Sequence, residues 1–138
     1  MILKVYRIIF FIFILFNASL LQATVEPLKV VLHINDAHKI GHLGNSVKNI
    51  RKELGDNVVI KVVINGKAVT RLLKSNKVNA KVIQSVLKQN VPIGLCHNAV
   101  ANNRVEKRFL IEGMDVLETD GNVTVINYQQ QGYIYIKM

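Results

Sequence analysis

Branched apolar residues crowd into short runs along this chain, and polar or glycine-containing breaks separate them. Leu28 to Ile34 (Leu-Lys-Val-Val-Leu-His-Ile), bounded by Pro27 and by Asn35-Asp36, has the make-up of a buried strand. Leu43, Val47, Ile50 and Leu54 then recur at helical spacing, with Lys48, Arg51 and Lys52 between them and Gly55 at the end. That pattern predicts an amphipathic helix stopped by a glycine. Asn57 to Ile64 predicts a second buried strand, ending at Asn65-Gly66. A short apolar turn around Val69, Leu72 and Leu73 follows, and then a basic linker through Lys77.

The second half continues the alternation. Val82, Ile83, Val86 and Leu87 form another helical stripe, and Asn90-Val91-Pro92 leads into a short strand, Ile93-Gly94-Leu95, that stops at Cys96. Val100 to Leu110 is expected to be helical, Val116-Leu117 a brief strand, and Tyr133 to Ile136 the last strand. Asn122 to Gln131 carries strand-favouring residues, including Val123, Val125, Ile126 and Tyr128. An alternation of strands and helices nevertheless calls for a helix there, with Gly132 closing it. The pattern predicts an α/β fold in three layers, a mainly parallel sheet with helices on both faces, and no second domain.

In such sheets, sites form outside the carboxyl ends of the strands. His33, Asn35 and Asp36 end the first strand, Asn65 the second, and Cys96, His97 and Asn98 the third. They are the candidate site residues.

The amino terminus changes how much of the apolar content belongs to the fold. Lys4 and Arg7 precede an unbroken apolar run from Ile8 to Phe16, and small Ala23 follows Leu20 and Leu21. That order is a secretory signal, too short to span a bilayer, which takes roughly 20 residues. The expectation is an exported, periplasmic protein: a signal peptide at 1–23 and one domain at 24–138, touching the membrane only through an uncleaved signal. Of the 138 residues, with their net charge of +9, 115 residues of charge +7 would remain.

The basic excess clusters at Lys48, Arg51 and Lys52, at Arg71, Lys74 and Lys77, and at Arg104, Lys107 and Arg108. No aromatic residues are interleaved for base stacking, so nucleic acid is not an expected partner and a solvated face is the plain reading. One cysteine in the whole chain excludes an intramolecular disulfide.

The strand ends also carry a resemblance. Val31-Leu32-His33-Ile34-Asn35-Asp36, the helix from Asn45 through Leu54, Val62-Val63-Ile64-Asn65-Gly66, Val91-Pro92-Ile93-Gly94-Leu95-Cys96-His97-Asn98 and Gln129 to Ile136 follow one another as in the DsrE/DsrF-like family. That family includes the TusD-type sulfurtransferase subunits, and the similarity covers almost all of the chain after the signal. The resemblance implies a flavodoxin-like domain of about five parallel strands, assembled as a homotrimer or a hexamer. It further implies sulfur handling: Cys96 as nucleophile and persulfide carrier, with a sulfur-donor or sulfur-acceptor protein as partner, and no cofactor.

Residue chemistry supports a sulfur site and also offers alternatives. A thiolate is the reactive form of cysteine, and a helix start or a neighbouring cation such as His97 favours it. Free cysteine is equally a common buried small hydrophobe. His33, His38 and His42 near one strand end, with Cys96-His97 near another, suit a metal in principle, although Gly41 and Gly44 break the helical register. The alternative function is therefore a non-catalytic oligomeric module binding a metal or a small anion. Tyr128, Tyr133 and Tyr135 suit either a subunit interface or the edge of the core. Asn122-Val123-Thr124 matches a glycosylation acceptor by chance, and Asn65-Gly66-Lys67 lacks the earlier glycine of a phosphate-binding loop.

Overall fold

The structure is a computed structural model, and it describes residues 26–138. The export segment expected at 1–23 lies outside the described residues.

Five strands carry the fold: β1 (Lys29–Ile34), β2 (Val59–Ile64), β3 (Ile93–Leu95), β4 (Asp115–Val116) and β5 (Ile134–Lys137). Four α-helices lie between them: α1 (Leu43–Leu54), α2 (Lys77–Leu87), α3 (His97–Asn102) and α4 (Gly121–Gln130). Three 3-10 turns complete the elements of the described residues, at Ala37–His42, Gly66–Arg71 and Lys107–Phe109. The strands form a single sheet in the order β4-β3-β2-β1-β5, and all four pairings are parallel.

Alternation along the strands divides the core into two layers. Leu32, Ile34, Val62 and Ile64 pack on one face with Leu43, Val47, Ile83 and Val86 from α1 and α2. Val31 and Val63 pack on the other with Val125 of α4 and Tyr133. Strands covered on both faces bury nearly every side chain, which explains the runs of Val, Ile and Leu in β1 and β2. Lys61 breaks the β2 run. Its ammonium lies 4.3 Å from the centre of the Tyr128 ring and 5.2 Å from that of Tyr133, so the two tyrosines stack at the edge of the core.

The helix after β3 departs from the expected Val100–Leu110. It begins at His97 and ends at Asn102. Arg104 takes a positive φ of 53°, which no helix continues through, and the Val105 amide turns back to the Val100 carbonyl. Beyond it Leu110 pairs as an antiparallel bridge with Leu73, and Leu110 and Ile111 are buried in the core. Val100, Val105 and Leu110 are five residues apart, a spacing that does not follow one helix face. The basic linker is also shorter than expected: Asn76 caps α2 through its side chain, and Lys77 opens the helix.

The helices that follow β1 and β2 cover one face, and the one that follows β4 crosses to the other. The chain therefore changes sides next to the carboxyl end of β3. A crevice at such a switch point is where open α/β sheets place their sites.

Candidate functional site

Three adjacent strands, β1, β2 and β3, place His33, Asn65 and Cys96 at the same edge of the sheet. His33 stands opposite Val63 in the β1–β2 register, on the α4 face, and Asn65 follows two residues later on that same face. The Cys96 amide donates to the Ile64 carbonyl at 2.9 Å, which sets Cys96 directly beside Asn65. Cys96 is the residue before α3 and is 3% exposed.

The start of α4 closes over this edge. A Cβ on Gly121 would lie 2.9 Å from the Cβ of Cys96 and 3.2 Å from that of Asn65, so only glycine permits the approach. Asp120 caps the helix, its Oδ1 accepting from the Asn122 amide at 2.8 Å. Its Oδ2 accepts from Asn98 Nδ2 at 3.1 Å and from the Cys96 thiol at 3.5 Å. Asn98, then the Asn122 amide, hold the Asp120 carboxyl below the usual carboxylate range. Asn65 Nδ2 donates to Asn122 Oδ1 at 3.1 Å and ties the second strand to the same helix start.

His33 is 7% exposed, and its Nδ1 is paired with the Tyr135 hydroxyl at 3.0 Å. Its Nε2 has no partner among the described residues, and neither do Asn65 Oδ1 or His97 Nδ1. Buried polar atoms are rarely left unpaired, because each loses its hydration without replacement. With Nδ1 committed to Tyr135, the influence of Asn65 on the ring falls to the Nε2 side. Burial pushes the His33 pKa below 6.5; Asn65 opposes this and the charge of Lys137 reinforces it.

The remaining expected residues sit further out. Asp36 accepts from the His38 amide at 2.9 Å and caps the turn that follows β1, and Asn35 and Asp36 are exposed. His38 and His42 lie exposed on that turn. Among the described residues no three His, Cys, Asp or Glu side chains converge as a metal site. A hollow of about 540 Å³ lined by Arg51, Asp56, Val58, Gln89 and Asn90 lies at the opposite, amino edge of the sheet.

Asp120, Gly121 and Asn122 were not among the expected site residues, although Asn122 opens the expected helix. Asp-Gly before an expected helix is a cap signal, but nothing local shows that the helix starts against a cysteine 24 residues earlier.

An all-parallel, flavodoxin-like α/β domain with a cysteine at the carboxyl edge of its sheet is the class that this geometry defines. The DsrE/DsrF-like family model matches residues 29–138, and the chain belongs to that family. Two solved structures are similar. A protein of unknown function, MTH1491, from Methanobacterium thermoautotrophicum is 26% identical with a TM-score of 0.71, over 80% of this chain and 99% of that one. The ychN protein from E. coli is 16% identical with a TM-score of 0.65, over 81% of this chain and 99% of that one, and shows the fold alone. No curated protein matches.

The lowered His33 pKa gives a signed expectation. An unfolded chain binds a proton at this histidine more readily than the folded one, so stability rises with pH up to about 6.5 and then levels. Urea unfolding between about pH 5 and 7.5 should show that rise in the native protein and a shallower one in His33→Gln. Equal slopes would show that burial does not suppress protonation of this ring.

Proposed function

We propose that this protein is an exported sulfur carrier that holds sulfane sulfur as a persulfide on Cys96. The observation that carries the reading is the position of Cys96: the only cysteine of a DsrE/DsrF-like chain, at the carboxyl edge of β3, against the first turn of α4. In the loading step the Cys96 sulfur attacks the outer sulfur of a donor R–S–SH. A new S–S bond forms to Cys96, the donor S–S bond breaks, and the donor leaves as R–SH with the proton that Cys96 gives up. No external oxidant or reductant is consumed. A sulfur-donor protein and a sulfur-acceptor protein are the implied partners.

His33, Asn65, His97 and Asn98 surround the thiol on this reading, while Asn35 and Asp36 form the outer rim. Assembly as a homotrimer or hexamer is part of the proposal. It is supported by the exposed Ile134, Tyr135 and Ile136 on edge strand β5 and by exposed Val123 and Ile126 on α4, since an open apolar edge invites pairing. Export rests on the amino-terminal sequence pattern alone. The burial of Cys96 favours the second reading, a non-catalytic oligomeric binding module, in which the thiol is a packing group.

Native mass spectrometry of protein isolated from its producing cells reads all three parts. The expected species is a trimer, or a multiple of it, of chains lacking residues 1–23. Each chain gains one sulfur atom after incubation with a low-molecular-weight persulfide, and none in Cys96→Ser. Failure of the native protein to take up sulfur would overturn the carrier reading in favour of the binding module.

A further inference from the structure

The carboxylate beside Cys96 carries a charge that the surrounding groups do not neutralise. Asp120 accepts from Asn98, from the Asn122 amide and from the Cys96 thiol, none of them a cation. It takes part in none of the ion pairs among the described residues, which join Lys52 to Glu53, Lys74 to Glu112 and Arg108 to Glu106. The same carboxylate caps α4 through Oδ1 and meets the sulfur through Oδ2. The whole chain is basic, with a net charge of +9, and its long-range field draws anions in. At the sulfur itself the sign reverses.

A second observation concerns the polar atoms of the same sheet edge that are left without a hydrogen-bond partner among the described residues. His33, more than nine-tenths buried, leaves Nε2 unpaired on the Asn65 side, and Asn65 Oδ1 is unpaired as well. Asn65 Oδ1 only accepts hydrogen bonds, so it favours a ligand that brings an N–H, O–H or S–H. An oxyanion offers acceptors alone and would meet both this oxygen and the Asp120 carboxylate.

The geometry points to Asp120 as a specificity-determining residue that makes Cys96 reject anionic sulfur compounds, such as sulfur oxyanions, and accept neutral, hydrogen-bond-donating ones. This inference rests on the carrier reading of Cys96 and narrows its substrate class. Like charges a few ångströms apart in a partly screened setting oppose each other strongly enough to change a rate about tenfold.

Iodoacetamide and iodoacetate test it directly. Both lose iodide from the same carbon to the cysteine sulfur, but only the second carries a negative charge. The ratio of their rates on the folded full chain cancels differences in general thiol reactivity, which an effect on persulfide loading would not. The neutral reagent should be favoured in the native protein well beyond its preference for free cysteine. That excess should fall about tenfold in Asp120→Asn, and should also shrink in native protein as salt rises. Asn and Ser both cap helices well, so Asp120→Ser should behave as Asp120→Asn does without unfolding α4. An unchanged ratio in both variants, or a native ratio equal to that of free cysteine or insensitive to salt, would overturn the inference even if Cys96 carries sulfur. Absence of labelling by either reagent in native protein and both variants would overturn it too.

Discussion

Gly121 lets the first turn of α4 descend onto the carboxyl edge of the sheet until its backbone meets the Cβ atoms of Cys96 and Asn65. Everything particular about the site follows from that approach. It brings Asp120 within 3.5 Å of the Cys96 sulfur and Asn122 within hydrogen-bonding reach of Asn65. It also surrounds a generic strand end with polar side chains. The parallel ladder supplies the other half, since the β1–β2 register puts His33 opposite Val63 with Asn65 further along the same face.

The two faces of the sheet divide the work. α1 and α2 cover one face with aliphatic side chains and give the domain most of its core. The face under α4 has a smaller apolar cluster, around Val31, Val63, Val125 and Tyr133, and it also carries Lys61, His33 and Asn65. Polar groups are tolerated there because each has at least one partner: Lys61 the two tyrosine rings, His33 the Tyr135 hydroxyl, Asn65 the Asn122 carboxamide. The atoms left over, His33 Nε2 and Asn65 Oδ1, mark where the face is unfinished.

The strands and α1 were legible because burial on two faces and helical spacing write themselves into local runs of residues. The helix at Gly121–Gln130 was legible only from the alternation of the whole chain, because its own residues favour strand. The segment after Cys96 was misread for a related reason. Val100 to Leu110 was expected as one helix, and the left-handed turn at Arg104 that divides it has no glycine to announce it. Of the site, the strand-end residues could be named in advance, since topology alone fixes that edge. Asp120 could not, because its contact with Cys96 depends on how α4 crosses the sheet.

If close backbone contact at Gly121 builds the site, the unfolding free energy of Gly121→Ala must show it. Helix propensity alone would favour alanine by up to about 1 kcal/mol. A methyl pressed against two Cβ atoms that the backbone holds in place should instead cost about 1–3 kcal/mol. Gly121→Ala should show a net loss of stability in urea, whereas Gly41→Ala, with nothing within 4 Å, should change little. A Gly121→Ala protein as stable as the native one, or more so, would contradict that role of the contact.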